Sequence, residues 1–136
     1  MPSEQSHREQ AEYNEEAALS IRDTSPDWAV TMCFYAALHW VRWYAEVKEE
    51  NIEIMYRNSE RHSPHDRLLN YVRDIGNTRG DRKLVNAYKN LRTECDTARY
   101  LKGGIITNSR DYYTMYKKDV DKSFENLKTV KDQLNS

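Results

Sequence analysis

The stretch from Asp27 to about Lys48, DWAVTMCFYAALHWVRWYAEVK, most limits what this chain can fold into. Apolar residues fall on nearly every face of a helix drawn through it, and a helix that is apolar all round must be covered by neighbours on several sides. It is therefore expected as the central helix of a bundle. Ala29, Ala36, Ala37 and Ala45 give those neighbours room to approach closely.

Composition points the same way. Four Gly and three Pro in 136 residues are too few turn formers for a many-stranded β-protein, so the reading is all-α. The chain length suits one domain, residues 1–136. Leu, Ile, Val and Phe number only 24, a low share, but a net charge of −1 removes the charge excess that disorder also needs. The place of aliphatic residues is taken by three Trp and ten Tyr, so the core is expected to be aromatic and partly wet, with ring hydroxyls and indole N–H groups seeking partners.

About five helices are predicted. The first, within residues 1–24, carries a modest stripe of Ala11, Ala17, Ala18, Leu19 and Ile21 and is expected to pack lightly, with its N-terminal half free to fray. Ser25 and Pro26 form a cap and first-turn signal for the central helix. Glu49 to Arg61 loses periodicity and reads as a long loop. Ser63-Pro64 starts a third helix, with Leu68, Leu69, Val72 and Ile75 on one face and Gly76-Asn77 as its stop. From Asp81 to about Lys102, Leu84, Tyr88, Leu91, Cys95 and Ala98 form a bundle seam that Gly103-Gly104 ends. A last helix, capped by Ser109, is expected to bury Tyr113, Tyr116, Val120, Phe124, Leu127, Val130 and Leu134.

Cys33 and Cys95 lie in apolar helical contexts without metal-ligand or redox spacing, which predicts two reduced, buried thiols. No apolar run approaches the roughly 18 residues of a membrane span, so the expectation is a cytoplasmic protein without membrane contact. Near-zero charge gives no global attraction to nucleic acid and leaves RNA binding to a local patch or a composite dimer surface. Metal sites and cofactors are not expected: His62, His65 and Asp66 lack a fourth ligand nearby, and no Gly-rich phosphate loop is present.

Three blocks carry a resemblance: DWAVTMCFYAALHWVRWYAE, then RHSPHDRLL, then LVNAYKNLRTECDTARY. In order and spacing, with Phe34 to His39, His62 or His65, and Ala98-Arg99-Tyr100 as the most specific parts, they resemble HEPN domains, particularly small stand-alone prokaryotic forms. The resemblance implies an up-and-down helical bundle that commonly dimerises. In many members it implies a metal-independent ribonuclease of toxin or antiviral defence systems, with RNA or a nucleotide as ligand and an antitoxin or defence-system protein as partner. Other members have no known catalysis and serve as dimerisation or binding modules.

The nuclease members carry an arginine, four to six residues and a histidine, and Arg57-Asn58-Ser59-Glu60-Arg61-His62 fits that formula. The pair lies in the loop after the second helix, earlier than is usual in the family; near the usual late position stands Arg99-Tyr100 with no following histidine. A neutral histidine can move the 2′-hydroxyl proton of ribose while a guanidinium holds the phosphate, and a symmetric dimer would join two such pairs. The other reading of Arg57 and His62 is a solvated loop. His39 is either a core histidine bonded to a Tyr or to Arg99, or part of a binding site. Arg99 either meets a carboxylate within the bundle or binds an anion. His65 and Arg67, at the start of the third helix, are either surface residues or line the same cleft as His39, Arg99 and Tyr100. Large rings on the second helix, Trp40, Trp43 and Tyr44, diverge too far for one core and predict a homodimer interface.

Overall fold

The computed structural model describes residues 3–58, 63–101 and 107–136. Within them the chain is all helical, without strands: α1 (Glu4–Ile21), α2 (Pro26–Val47), α3 (Ile52–Met55), α4 (Pro64–Arg79), α5 (Lys83–Tyr100), α6 (Ser109–Met115) and α7 (Lys117–Asn135). As its sequence requires, α2 is covered from several sides, by α1, α5 and α7 most extensively and by α4 and α6 over smaller areas. Phe34, Trp40 and Val41 of α2 meet Tyr71 and Leu68 of α4, Tyr88 and Leu91 of α5, and Leu127 and Val130 of α7 in one core.

The first helix departs from expectation. It is the most extensive neighbour of α2, because its buried stripe is His7, Ala11, Asn14 and Ala18, at steps of four, three and four residues. The two alanines let α1 lie close against the small residues of α2, whereas Leu19, expected in the stripe, is exposed. Two polar residues inside the stripe hid its extent from a count of apolar positions.

The expected five helices become seven among the described residues. The loop expected over residues 49–61 contains α3, started by the Asn51 side chain accepting from the Ile54 N–H. The single last helix is instead two, broken at Tyr116, whose ψ of 62° leaves the helical region. The break separates two packing sites. Tyr113 and Val120 close on Val30 and Ala98, while Leu127, Val130 and Leu134 join the main core. Tyr116, expected in the core, is consequently exposed, and Asn108 rather than Ser109 caps α6, its side chain accepting from the Asp111 N–H. Buried Ser109 instead donates to the Ala98 carbonyl.

Ser63 and Pro64 start α4 as predicted, with the Ser63 hydroxyl accepting from the Asp66 N–H. The helix does not stop at Gly76-Asn77 but continues to Arg79, where Gly80, at φ 67°, takes the left-handed cap. Gly76 serves close approach: a Cβ there would lie 3.0 Å from the Asp81 carbonyl oxygen and 3.1 Å from Val85 Cγ2. The α5 seam is buried throughout, and the helix ends at Leu101 in the left-handed region; Gly103-Gly104 lies outside the described residues. Ser25 stands at the N-cap of α2 without a side-chain hydrogen bond.

Both thiols are free and buried, and burial pushes Cys33 up to about 12 and Cys95 up to about 11. Trp43 and Tyr44 pack half-buried against the core, so the most exposed ring of α2 is Trp28. No helix among the described residues is long and apolar enough to cross a membrane.

Replacing Gly76 tests the close approach of α4 to α5. Helix propensity alone makes Gly→Ala favourable by about 1 kcal/mol. The contact with a backbone carbonyl reverses the sign, and Gly76→Ala is expected to lower stability by about 1–3 kcal/mol in urea denaturation.

Candidate functional site

The side of α2 left partly open carries Trp28, Met32, Tyr35 and His39, at steps of four, three and four residues. Asn14 and Ile21 of α1 and Arg99 of α5 close around them to form an open groove of about 640 Å³. A hollow of about 260 Å³ adjoins it, sharing Trp28, Thr31 and Arg99 and adding Asp27, Ala98 and Tyr100. Trp28 and Tyr100 are 57% and 56% exposed, on either side of one guanidinium that lies over the Tyr100 ring.

Arg99 is the centre of this arrangement. Its guanidinium donates to the Tyr35 hydroxyl and lies 4.9 Å from the Tyr100 ring centroid and 5.8 Å from that of Tyr35. Among the described residues it has no ion pair with a carboxylate, the arrangement expected of an arginine held for structure alone. Burial, with Cys95 beside it, pushes the Tyr35 phenol up against the opposing effect of Arg99. The phenol thus stays protonated, and its O–H can donate in the same region as the Arg99 N–H groups.

His39 lines the groove, but its partner is neither a tyrosine nor Arg99. Its Nδ1 lies 3.1 Å from Nδ1 of His7, and the rings stack at 5.3 Å. This contact is a hydrogen bond only if one ring carries the Nδ1 proton and the other presents a lone pair. Burial, His7 and Arg42 lower His39 to about 4. Burial and Arg42 also lower His7, against Glu46. Both rings are therefore neutral at pH 7. His7 has a signal in the sequence only in retrospect, as the start of the four-three-four stripe of α1.

His65, in the first turn of α4, comes to the rear of Tyr35, with ring centroids 6.3 Å apart, and to 5.6 Å from Phe34. Its Nδ1 is buried and has no hydrogen-bond partner among the described residues. Burial and Arg92 lower its pKa, Asp96 opposes, and Arg99 adds to the lowering. Arg92 itself pairs with Asp66 at 3.1 Å.

The structure therefore places His39 in the groove, Tyr100 in the adjoining hollow, Arg99 in both, and His65 against the ring of Tyr35. It does not bring Arg67 there. That residue acts on Glu53 of α3, where burial works upward but the hydrogen bond and charge of Arg42, with the charge of Arg67, hold the carboxyl below its ordinary value. Arg57 is exposed in the turn after α3 and lines neither hollow of the groove. His62 lies outside the described residues. No group of three or more metal-ligating side chains occurs among the described residues. Tyr35 and Trp28, which form the groove wall, share the α2 face of His39, but as aromatic residues of an apolar helix they read as core.

The histidine pair makes a pH prediction with a fixed sign. Both folded-state pKa values lie below the ordinary 6.5, so the unfolded chain takes up protons first as pH falls. The contribution of the pair is complete above about pH 6.5 and is lost as pH falls towards 4. Thermal unfolding by circular dichroism is expected to show Tm dropping through that window, and a His7→Gln, His39→Gln double variant is expected to flatten the drop. Compared with models of known protein families, with curated proteins and with solved structures, the chain matches none.

Proposed function

We propose that this chain is an HEPN-like module that binds single-stranded RNA through a phosphate at Arg99 and a base on the exposed Trp28 indole beside it. The observation that carries the reading is the convergence of the Arg99 guanidinium, the Tyr35 hydroxyl and the exposed indole of Trp28 on one groove. A guanidinium without a carboxylate is suited to a phosphate oxygen, and a neutral phenol adds a second donor. Ring faces stack on any base, which gives affinity with little sequence preference. Net charge near zero does not oppose this, because the positive charge needed is local.

What also supports the family reading is that the three blocks resembling HEPN domains fall on α2, the entry to α4, and α5, and that the first and third of these line the groove together with Asn14 and Ile21 of α1. On this reading the protein acts in the cytoplasm, dimerises, and takes a toxin-antitoxin or defence-system protein as partner. The catalytic form of the same reading makes the protein a metal-independent endoribonuclease, with Arg57 and His62 of two protomers facing one RNA. It rests on the Arg57-x4-His62 spacing in the sequence.

Binding of fluorescein-labelled single-stranded RNA, read by anisotropy at fixed salt, tests the proposal. Arg99→Ala is expected to weaken binding by about tenfold or more and to reduce the salt dependence by about one phosphate contact. Trp28→Ala is expected to weaken it by about fivefold or more without changing the salt slope. Unchanged affinity in both variants would falsify the groove assignment. An RNA cleavage assay in EDTA, comparing the unaltered chain with His62→Ala, separates the catalytic form from the binding module.

A further inference from the structure

Beyond the groove along α2, and sharing no residue with it, the end of that helix meets α3 and α4 around a cavity of about 220 Å³. Its walls carry the rings of Tyr44, Tyr56 and Tyr71 and the carboxylates of Glu50 and Asp74. The Tyr71 hydroxyl donates to Glu50 Oε1 at 2.7 Å, and the Tyr56 hydroxyl donates to Asp74 Oδ2. Burial and these carboxylates push both phenols up, so they remain neutral donors.

A hydrogen bond from a phenol does not neutralise a carboxylate. Neither Glu50 nor Asp74 has an ion pair with a lysine or arginine among the described residues, although six other carboxylates do. Arg79 stands at the rim, but its guanidinium donates to the Gln133 carbonyl at 2.8 Å and to the Tyr44 hydroxyl at 3.3 Å. The ring of Tyr44 already draws cations, with the Lys48 ammonium at 5.4 Å and the Arg79 guanidinium at 5.8 Å from its centroid.

We propose that this cavity is a binding site for a small organic ammonium cation, held against the tyrosine rings and between the Glu50 and Asp74 carboxylates. Ring faces and carboxylates attract the same positive charge, and a weakly hydrated alkylated ammonium gives up its water more readily than a metal ion. A magnesium ion demands near-octahedral oxygen ligation, whereas this cavity is walled by rings together with Met55 and Ile75. Drug-sized ligands occupy pockets of about 300–1,000 Å³, so a smaller cavity limits the guest to a compact head group.

Choline and its neutral isostere 3,3-dimethylbutan-1-ol have nearly the same shape and differ in charge. Titrated into the full chain and followed by amide NMR shifts, choline is expected to move signals of α3 and of the C-terminal half of α4. The alcohol is expected to bind about tenfold more weakly or not at all. Glu50→Gln and Asp74→Asn should each weaken choline about tenfold, and Arg79→Gln, which removes a competing cation from Tyr44, should tighten it. Tyr56→Phe keeps the ring while releasing Asp74 and should retain binding, which covers a loss of folding in the carboxylate variants. The proposal is overturned if choline moves no signals there, or if it binds no better than the alcohol. It is equally overturned if choline is indifferent to both carboxylate substitutions, or if magnesium chloride moves the same signals at lower concentration.

Discussion

Everything in this structure depends on covering α2. A helix that is apolar on nearly all faces is unstable in water by itself, and at about 25 cal/mol per Å² of buried apolar surface its cover supplies the main driving force for the domain. Small residues decide how that cover is made. Ala29, Cys33, Ala36 and Ala37 are completely buried and share one core with Ala11 and Ala18 of α1 and the larger side chains of α5 and α7. The large rings then fill what the alanines leave. Phe34, Trp40, Tyr71 and Tyr88 form a core in which rings replace the missing aliphatic residues.

An aromatic core carries polar tips, and their treatment is uneven. The Tyr71 and Tyr113 hydroxyls donate hydrogen bonds to Glu50 and Glu94, whereas Trp40 Nε1 and the Tyr88 hydroxyl are buried without a partner among the described residues. Burial raises Glu94 despite the hydrogen bond from Tyr113, so a carboxylate has been drawn inward to satisfy a tyrosine. The aromatic interior expected from composition therefore carries polar groups, and Tyr71 and Tyr113 reach across elements for their partners.

Where the cover of α2 is incomplete, its polar residues emerge in a line. Tyr35, His39 and Arg42 succeed one another on one side, and each finds its partner on a different element: Arg99 of α5, His7 of α1 and Glu53 of α3. Burial and the neighbouring arginines keep the histidines along this line neutral. Of the arginines that act on these imidazoles, Arg42 pairs with Glu53 and Arg92 with Asp66, whereas Arg99 has no carboxylate partner among the described residues.

How far the sequence was legible follows from which forces act locally. The seam Leu84, Tyr88, Leu91, Cys95 and Ala98, the Ser63-Pro64 helix start and the buried thiols depend on periodicity and capping, which are properties of neighbouring residues, and each could be read directly. The grouping of His39, Arg99 and Tyr100 was legible only through a family resemblance, since nothing local joins α2 to α5. The break at Tyr116 has no glycine or proline to announce it, and Gly76 looks like a helix stop until Asp81 and Val85 are seen against it. His7 carries no local signal, because its partner stands 32 positions away. By itself the sequence determined that the chain is helical and that α2 lies within it, because apolar surface must leave water wherever it occurs. Only the tertiary structure decided which polar groups meet, because a hydrogen bond or an ion pair acts over a few ångströms between residues that the chain order keeps far apart.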